Sequence, residues 1–118
     1  MTSGKPAKRG EIWLINLDPT IGAEIKKTRP AVVISSDGLG RLPLKIVVPI
    51  TQWNDSFESS RWHVRIDPDK RNGLTKASAA DAFQVRSLSI ERFAKYMGTL
   101  DAVQVEEIAS AIGIVIDL

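Results

Sequence analysis

With 118 residues, 43% hydrophobic and 25% charged, the chain has the make-up of one globular domain, which excludes bulk disorder and a second core. It contains no cysteine, which removes disulfides, thiolate metal sites and thiol nucleophiles together and accords with a cytoplasmic protein. The formal charge of +2 permits an anionic partner without demanding one, and no apolar run approaches the roughly 18 residues that span a bilayer.

Residues 1–8 hold Gly, Pro, Ser and two lysines without apolar pattern and read as a flexible basic tail ahead of one domain over 9–118. From Glu11 to Leu17 apolar residues fall on both faces of a first strand, stopped by Asp18-Pro19. Thr20 to Thr28 form a loop longer than a tight hairpin needs, carrying Gly22, Glu24, Lys26 and Lys27, and length of that kind points to function. Pro30 keeps Arg29 out of helix and opens a second strand over Ala31–Ser36, which meets the turn Asp37–Gly40. A third strand covers Lys45–Thr51.

The polar stretch Gln52–Ser60, with Trp53 and Phe57 among Asn, Asp, Glu and Ser, reads as an exposed loop. Its aromatic residues either stack bases, fold back on the sheet or pair across a dimer. Arg61–Ile66 alternates at period two as a fourth strand, punctuated by Asp67-Pro68 and Asn72-Gly73. In it His63 reads as structural or surface, and Trp13 and Trp62 as core or interface. Ala77–Phe83 has high helix propensity, yet its place between strands argues for a short strand of small residues that lets a neighbour approach closely. Ser89–Arg92 suggests one helical turn capped by Ser87 or Ser89, and Ala94–Leu100 a last strand. Asp101 then caps an amphipathic helix with Val105, Ile108, Ala109 and Ile112 at i, i+3, i+4 and i+7, ending near Gly113. The predicted class is mainly β with a C-terminal helix, arranged as a small, strongly bent antiparallel barrel.

If the second and third strands run antiparallel, Arg29 at the entry of one lies near Thr51 at the end of the other. A guanidinium beside a hydroxyl suits a phosphate diester.

The ordered series Arg9-Gly10-Glu11-Ile12-Trp13, Asp18-Pro19, Gly22-x-Glu24, Lys27-x-Arg29-Pro30-Ala31-Val32-Val33-Ile34-Ser35, Val48-Pro49-Ile50-Thr51 and Gln84-Val85-Arg86-Ser87-Leu88-Ser89 resembles the MazF/PemK-type (Kid-type) toxins. These are the mRNA interferases of type II toxin–antitoxin systems. The resemblance runs from Arg9 to the C-terminus. It implies an SH3-like barrel, a homodimer, and metal- and cofactor-independent, sequence-specific cleavage of single-stranded RNA. It also implies neutralisation by a cognate antitoxin. The family's catalytic arginine falls on Arg29, its catalytic threonine on Thr51, and the loop acid that some members need on Glu24. Lys26, Lys27, Gln52, Trp53 and Asp81 are the accompanying candidates for contact with RNA. Where many members carry an acid directly before the Gln-Val-Arg motif, this chain has Phe83, with Asp81 two residues earlier on what a continuous strand makes the same face.

Cleaving RNA without a metal requires a proton taken from the 2′-hydroxyl, a proton given to the leaving 5′-oxygen, and charge on phosphorus neutralised. One His in the chain excludes a two-histidine mechanism. Arg29 and Thr51 suit the third task; Glu24, Asp81 and Arg29 stay open as the base. Two other readings compete: a CcdB-like gyrase poison acting through the final helix, and a non-catalytic SH3-like module.

Overall fold

The computed structural model describes residues 7–17 and 28–118. Among the described residues seven strands and one α-helix follow in chain order: β1 (Glu11–Asn16), β2 (Thr28–Val33), β3 (Leu44–Gln52), β4 (His63–Ile66), β5 (Ser78–Asp81), β6 (Arg86–Ser89), β7 (Phe93–Thr99) and α1 (Ala102–Val115). Every strand pairing is antiparallel, in the spatial order β4-β5-β3-β2-β1-β7.

The nine-residue β3 is the spine. One edge pairs with β2, Ala31 opposite Pro49 and Val33 opposite Val47. Its other edge takes two partners in succession, β6 along Leu44–Val47 and β5 along Ile50–Gln52. The two partners are joined by a 3-10 turn at Ala82–Gln84. Pro30 sits inside β2 rather than before it, opposite Leu14 of β1. The ladder with β3 begins one residue later, at Ala31, so the missing proline N–H breaks no bond on that side.

Alternation sorts the side chains onto two faces. Ile12, Val32, Val48, Ile50, Ile66 and Ala80 point to one side and are covered by Val105 and Ile108 of α1. Trp13, Ile15, Ala31, Val33, Val47, Leu88 and Phe93 form a second cluster from the opposite parity. Trp13 meets Phe93 and Tyr96 edge to face at 5.8 and 5.7 Å. Of the expected tail, residues 1–6 lie outside the described residues, whereas Ala7 is buried in the second cluster and the Lys8 N–H donates to Glu11 Oε1.

The sheet does not close by strand pairing into the expected barrel, because β4 and β7 at its ends are not ladder partners. A turn bridges them instead. Asn72 is fully buried, accepting at Oδ1 from the Asp69 and Leu74 amides and donating from Nδ2 to the Asp67 carbonyl. The segment it ties reaches β7, where the Thr99 N–H donates to the Arg71 carbonyl at 2.8 Å. Two glycines permit the approach. Gly73 has φ +73° and no room for a Cβ against the Met97 carbonyl, and a Cβ on Gly98 would lie 2.3 Å from the Arg71 oxygen.

Four further expectations are corrected. Arg86–Ser89, to which the sequence assigns no strand, forms one, and the helical turn after it covers Ile90–Arg92, capped by Ser89, one of the two expected caps. Residues 61 and 62 bend outside the fourth strand. Gln52–Ser60 is largely exposed as expected but is not all loop: Gln52 ends β3, and Asp55–Ser59 form a 3-10 helix capped by Asn54, with Trp53 and Phe57 half-buried. The strand at Ser78–Asp81 breaks before Phe83, so Phe83 and Asp81 do not share a strand face. The helix cap is as expected, Asp101 Oδ1 accepting from the Gln104 N–H at 2.8 Å, with the helix running on to Val115.

Gly98→Ala should cost about 3 kcal/mol or more by driving a methyl into backbone. Thermal melts should show Tm lowered by roughly 10 °C or more. Gly38→Ala, whose Cβ would meet only Ser36 Oγ at 3.4 Å, should leave Tm within a degree or two of the parent.

Candidate nucleic-acid cleavage site

The face that carries the second cluster turns polar along β3. Continuing the β2–β3 register by two residues sets Arg29 opposite Thr51, beyond the Ala31–Pro49 pair. On the other edge, Ile50 pairs with Ala80 of β5, and Asp81 of β5 pairs with His63 of β4. Period-two alternation thus delivers Arg29, Thr51, Asp81 and His63 to one side of the sheet. They line a cavity of about 480 Å³ together with Leu17, Pro49, Phe57, Gln84 and Arg86. Arg29 and Thr51 also border a neighbouring cleft of about 250 Å³ that reaches Gln52, Lys76 and Ser78.

Two guanidiniums against one carboxylate make the charged lining of the larger cavity net positive. Arg86 and Gln84 come from the turn and strand after β5, and their place in the Gln-Val-Arg motif was the available sequence signal. Asp81 is fixed at both ends. Its Oδ1 caps the 3-10 turn by accepting from the Phe83 N–H at 3.1 Å, and its Oδ2 lies 3.6 Å from His63 Nε2.

His63, read from sequence as structural or surface, lines the cavity and has only 11% of its side chain exposed. Its Nδ1 is 2.6 Å from Ser60 Oγ, which also accepts the Trp62 and His63 amides. With two N–H groups already directed at that oxygen, the serine proton is free to point at Nδ1. Neutral His63 is then the Nε2–H tautomer, facing Asp81. Phe57 lies flat on the imidazole at a centroid distance of 3.8 Å and 6°. Ser60 and Phe57 come from the 3-10 helix and its cap just ahead of His63, whereas the acid comes from β5, and only the fold brings that third partner in.

The other candidates divide. Glu24, Lys26 and Lys27 lie outside the described residues. Gln52 is exposed and accepts from Lys76 Nζ at 3.1 Å. Trp53 is half-buried, packed edge-on to Phe57 at 5.6 Å with the Arg65 guanidinium 4.9 Å over its ring. One ring face is thus taken by Arg65, and Trp53 Nε1 is buried without a hydrogen-bond partner. Among the described residues no group of three or more His, Cys, Asp or Glu side chains gathers as a metal cluster would.

His63→Ala should destabilise the fold by about 1–3 kcal/mol, through loss of the ring stack and the serine hydrogen bond. A double-mutant cycle with Phe57→Ala, read from urea midpoints, should return a coupling of about 0.5–1.5 kcal/mol.

The family model described as "PemK-like, MazF-like toxin of type II toxin-antitoxin system" matches residues 8–116. The endoribonuclease MazF9 of Mycobacterium tuberculosis is 31% identical over 117 residues, covering 94% of this chain and 97% of its own. Endoribonuclease EndoA of Bacillus subtilis is 31% identical and covers 91% of each chain. Among solved structures, the M. tuberculosis toxin MazF-mt6 superposes with a TM-score of 0.73 at 25% identity, over 92% of this chain and 97% of that one. A MazF from the MazE-MazF structures of Deinococcus radiodurans gives a TM-score of 0.75 at 22% identity, over 98% and 99%. A match across nearly the whole chain, on a fold that puts arginine and threonine in one cationic cavity, makes this chain a member of the PemK-like, MazF-like toxins of type II toxin–antitoxin systems.

Proposed function

We propose that this protein is an endoribonuclease toxin whose cleavage centre is the cavity between Arg29, Thr51, Asp81 and Arg86. The observation that carries the reading is the placement of two guanidiniums, a hydroxyl and a carboxylate around one space on one sheet face. The gyrase-poison and passive-module readings account for neither this cluster nor the 31% identity to named endoribonucleases.

In the proposed reaction the 2′-oxygen of a single-stranded RNA attacks the adjacent phosphorus as the bond to the 5′-oxygen breaks. The products are a 2′,3′-cyclic phosphate and a 5′-hydroxyl. Arg29 and Arg86 hold the non-bridging oxygens as negative charge builds, and Thr51 adds a hydroxyl donor. Asp81 keeps acceptor capacity beyond its Phe83 and His63 contacts and takes the 2′-hydroxyl proton. A guanidinium gives a proton to the leaving 5′-oxygen, and solvent then carries the proton held by Asp81 back to that guanidinium, which restores both groups. No step in this scheme calls on a metal or cofactor.

The relatives extend the proposal to partners. Solved structures at 17–22% identity include an endoribonuclease with its cognate antitoxin and MazE-MazF assemblies. A peptide antitoxin lying over this cationic cavity, and a homodimer that doubles it, are the corresponding proposals here. The loop expected to line a shared groove, Gly22–Lys27, lies outside the described residues.

Incubating the protein with a long single-stranded RNA in excess EDTA should give discrete fragments with 5′-hydroxyl ends. Arg29→Ala should slow cutting by about 100-fold or more. Intact RNA, or equal cutting by parent and variant, would refute the assignment. Arg86→Ala should weaken RNA binding at every sequence and flatten the slope of log affinity against log salt by about 0.7, one phosphate contact on a single strand.

A further inference from the structure

We infer that Phe83, supported by Trp62, is a base-stacking subsite at the rim of the cleavage cavity. The inference rests on the RNA-cleavage reading above and adds the place where a nucleobase beside the scissile phosphate lies.

A continuous run of rings leads from the cavity wall to the surface. Phe57 stacks on His63 at 3.8 Å, His63 neighbours Trp62 at 5.8 Å, and Trp62 meets Phe83 edge to face at 5.7 Å. The inner rings are held in the wall and the outer ones are not: Trp62 is 36% exposed and Phe83 60%. Phe83 is anchored at its backbone to the site, since its N–H donates to the Asp81 carboxylate and its neighbour Gln84 lines the cavity. The Trp62 carbonyl accepts the Ala82 N–H at 2.9 Å, tying the two segments that carry the outer rings. A phenylalanine 60% exposed buries little of its ring for the fold. Its backbone is fixed by the 3-10 turn and its ring packs against the Trp62 indole, so a base stacked on it has little left to order.

The chemistry favours RNA as occupant. The run of rings starts at Phe57 and His63 in the lining of a cavity whose charged groups are net positive, so a strand whose phosphate sits between Arg29 and Arg86 reaches Phe83 with a neighbouring base led out past His63. A base has the flat π-face that an exposed ring accepts whatever its identity, so this subsite contributes affinity and register rather than a hydrogen-bonded code.

The test uses a fluorescein-labelled pool of random-sequence 2′-O-methyl RNA 12-mers, which lack the attacking hydroxyl and survive binding to the active protein. Anisotropy titrations should show Phe83→Ala weakening affinity by about 5- to 150-fold, the range expected for one stacked base. Phe83→Trp should recover most of the loss. The loss should stay constant between about 50 and 200 mM salt, unlike that of Arg86→Ala, because stacking releases no counterions. Unchanged affinity in Phe83→Ala, a loss that Phe83→Trp fails to restore, or no binding of the pool by the parent would overturn the subsite. So would a sedimentation shift in Phe83→Ala with RNA affinity unaltered, which would assign the rings to contact between copies of the chain. A parent that binds the pool with this pattern yet leaves unmodified RNA intact would refute the nuclease reading and leave the stacking subsite standing.

Discussion

The site depends on one register. β3 is hydrogen-bonded to β2 with Ala31 opposite Pro49, and to β5 with Ile50 opposite Ala80. Side chains alternate at period two, so a slip of one residue against either neighbour would send Arg29 or Asp81 under the helix and bring Val32 or Ala80 to the cavity. What forbids the slip is the apolar content of both faces. Val32, Val48 and Ile50 fill the helix side, and Ala31, Val33 and Val47 the other. Burying a guanidinium or carboxylate unpaired in place of such residues would cost several kcal/mol. The geometry of the cavity is thus a by-product of where the hydrophobic residues must go. The polar cluster begins where the second core ends, at Pro49 and Leu17.

Around that register the electrostatics are asymmetric by construction. The two arginines reach the cavity from β2 and β6, on opposite edges of β3, and the carboxylate comes from β5 between them in chain order. His63 adds no fixed charge when neutral, but it gives Asp81 a neighbouring N–H and is itself held by Ser60 and Phe57. Arg86 is exposed and Arg29 and Asp81 are half-buried, so all three keep contact with water on the side that opens to the cavity.

How much of this was legible beforehand follows the range of the interactions. Strand alternation, the Asp101 cap and the stripe Val105, Ile108, Ile112 are local signals and were readable. Arg29 and Thr51 stand 22 positions apart, yet both mark the ends of visible strands, and the family motif placed them together. The short strand Ser78–Asp81 overrode its helix propensity because Ala79 and Ala80 are fully buried between β3 and β4, a tertiary demand that local preference does not contain. Three features needed coordinates. Trp53 and Phe57 sit in a polar stretch that looks solvated, and the 3-10 turn leaves both half-buried. His63 meets Asp81 across the β4–β5 ladder, a pairing that its own stretch of sequence does not contain. The open sheet bridged by a turn depends on Gly73 and Gly98 meeting a distant backbone, and a glycine does not announce its partner.

The position of β1 has a consequence for how the chain acquires its structure. It pairs on one edge with β2 and on the other with β7, Glu11 meeting Thr99 across almost the whole sequence. The first strand made is therefore completed by the last, and α1, which covers the core, follows later still. Contacts this far apart in sequence make folding slow relative to helical domains of similar size. During synthesis the cavity residues up to Arg86 exist before the sheet that orders them, so the nascent polypeptide carries the parts of the site without its geometry. The β1–β7 ladder forms only once residues 93–99 are available to pair. Until then an unpaired β1 edge and an uncovered apolar face remain open to capture, and the interval before the protein becomes competent is set by topology.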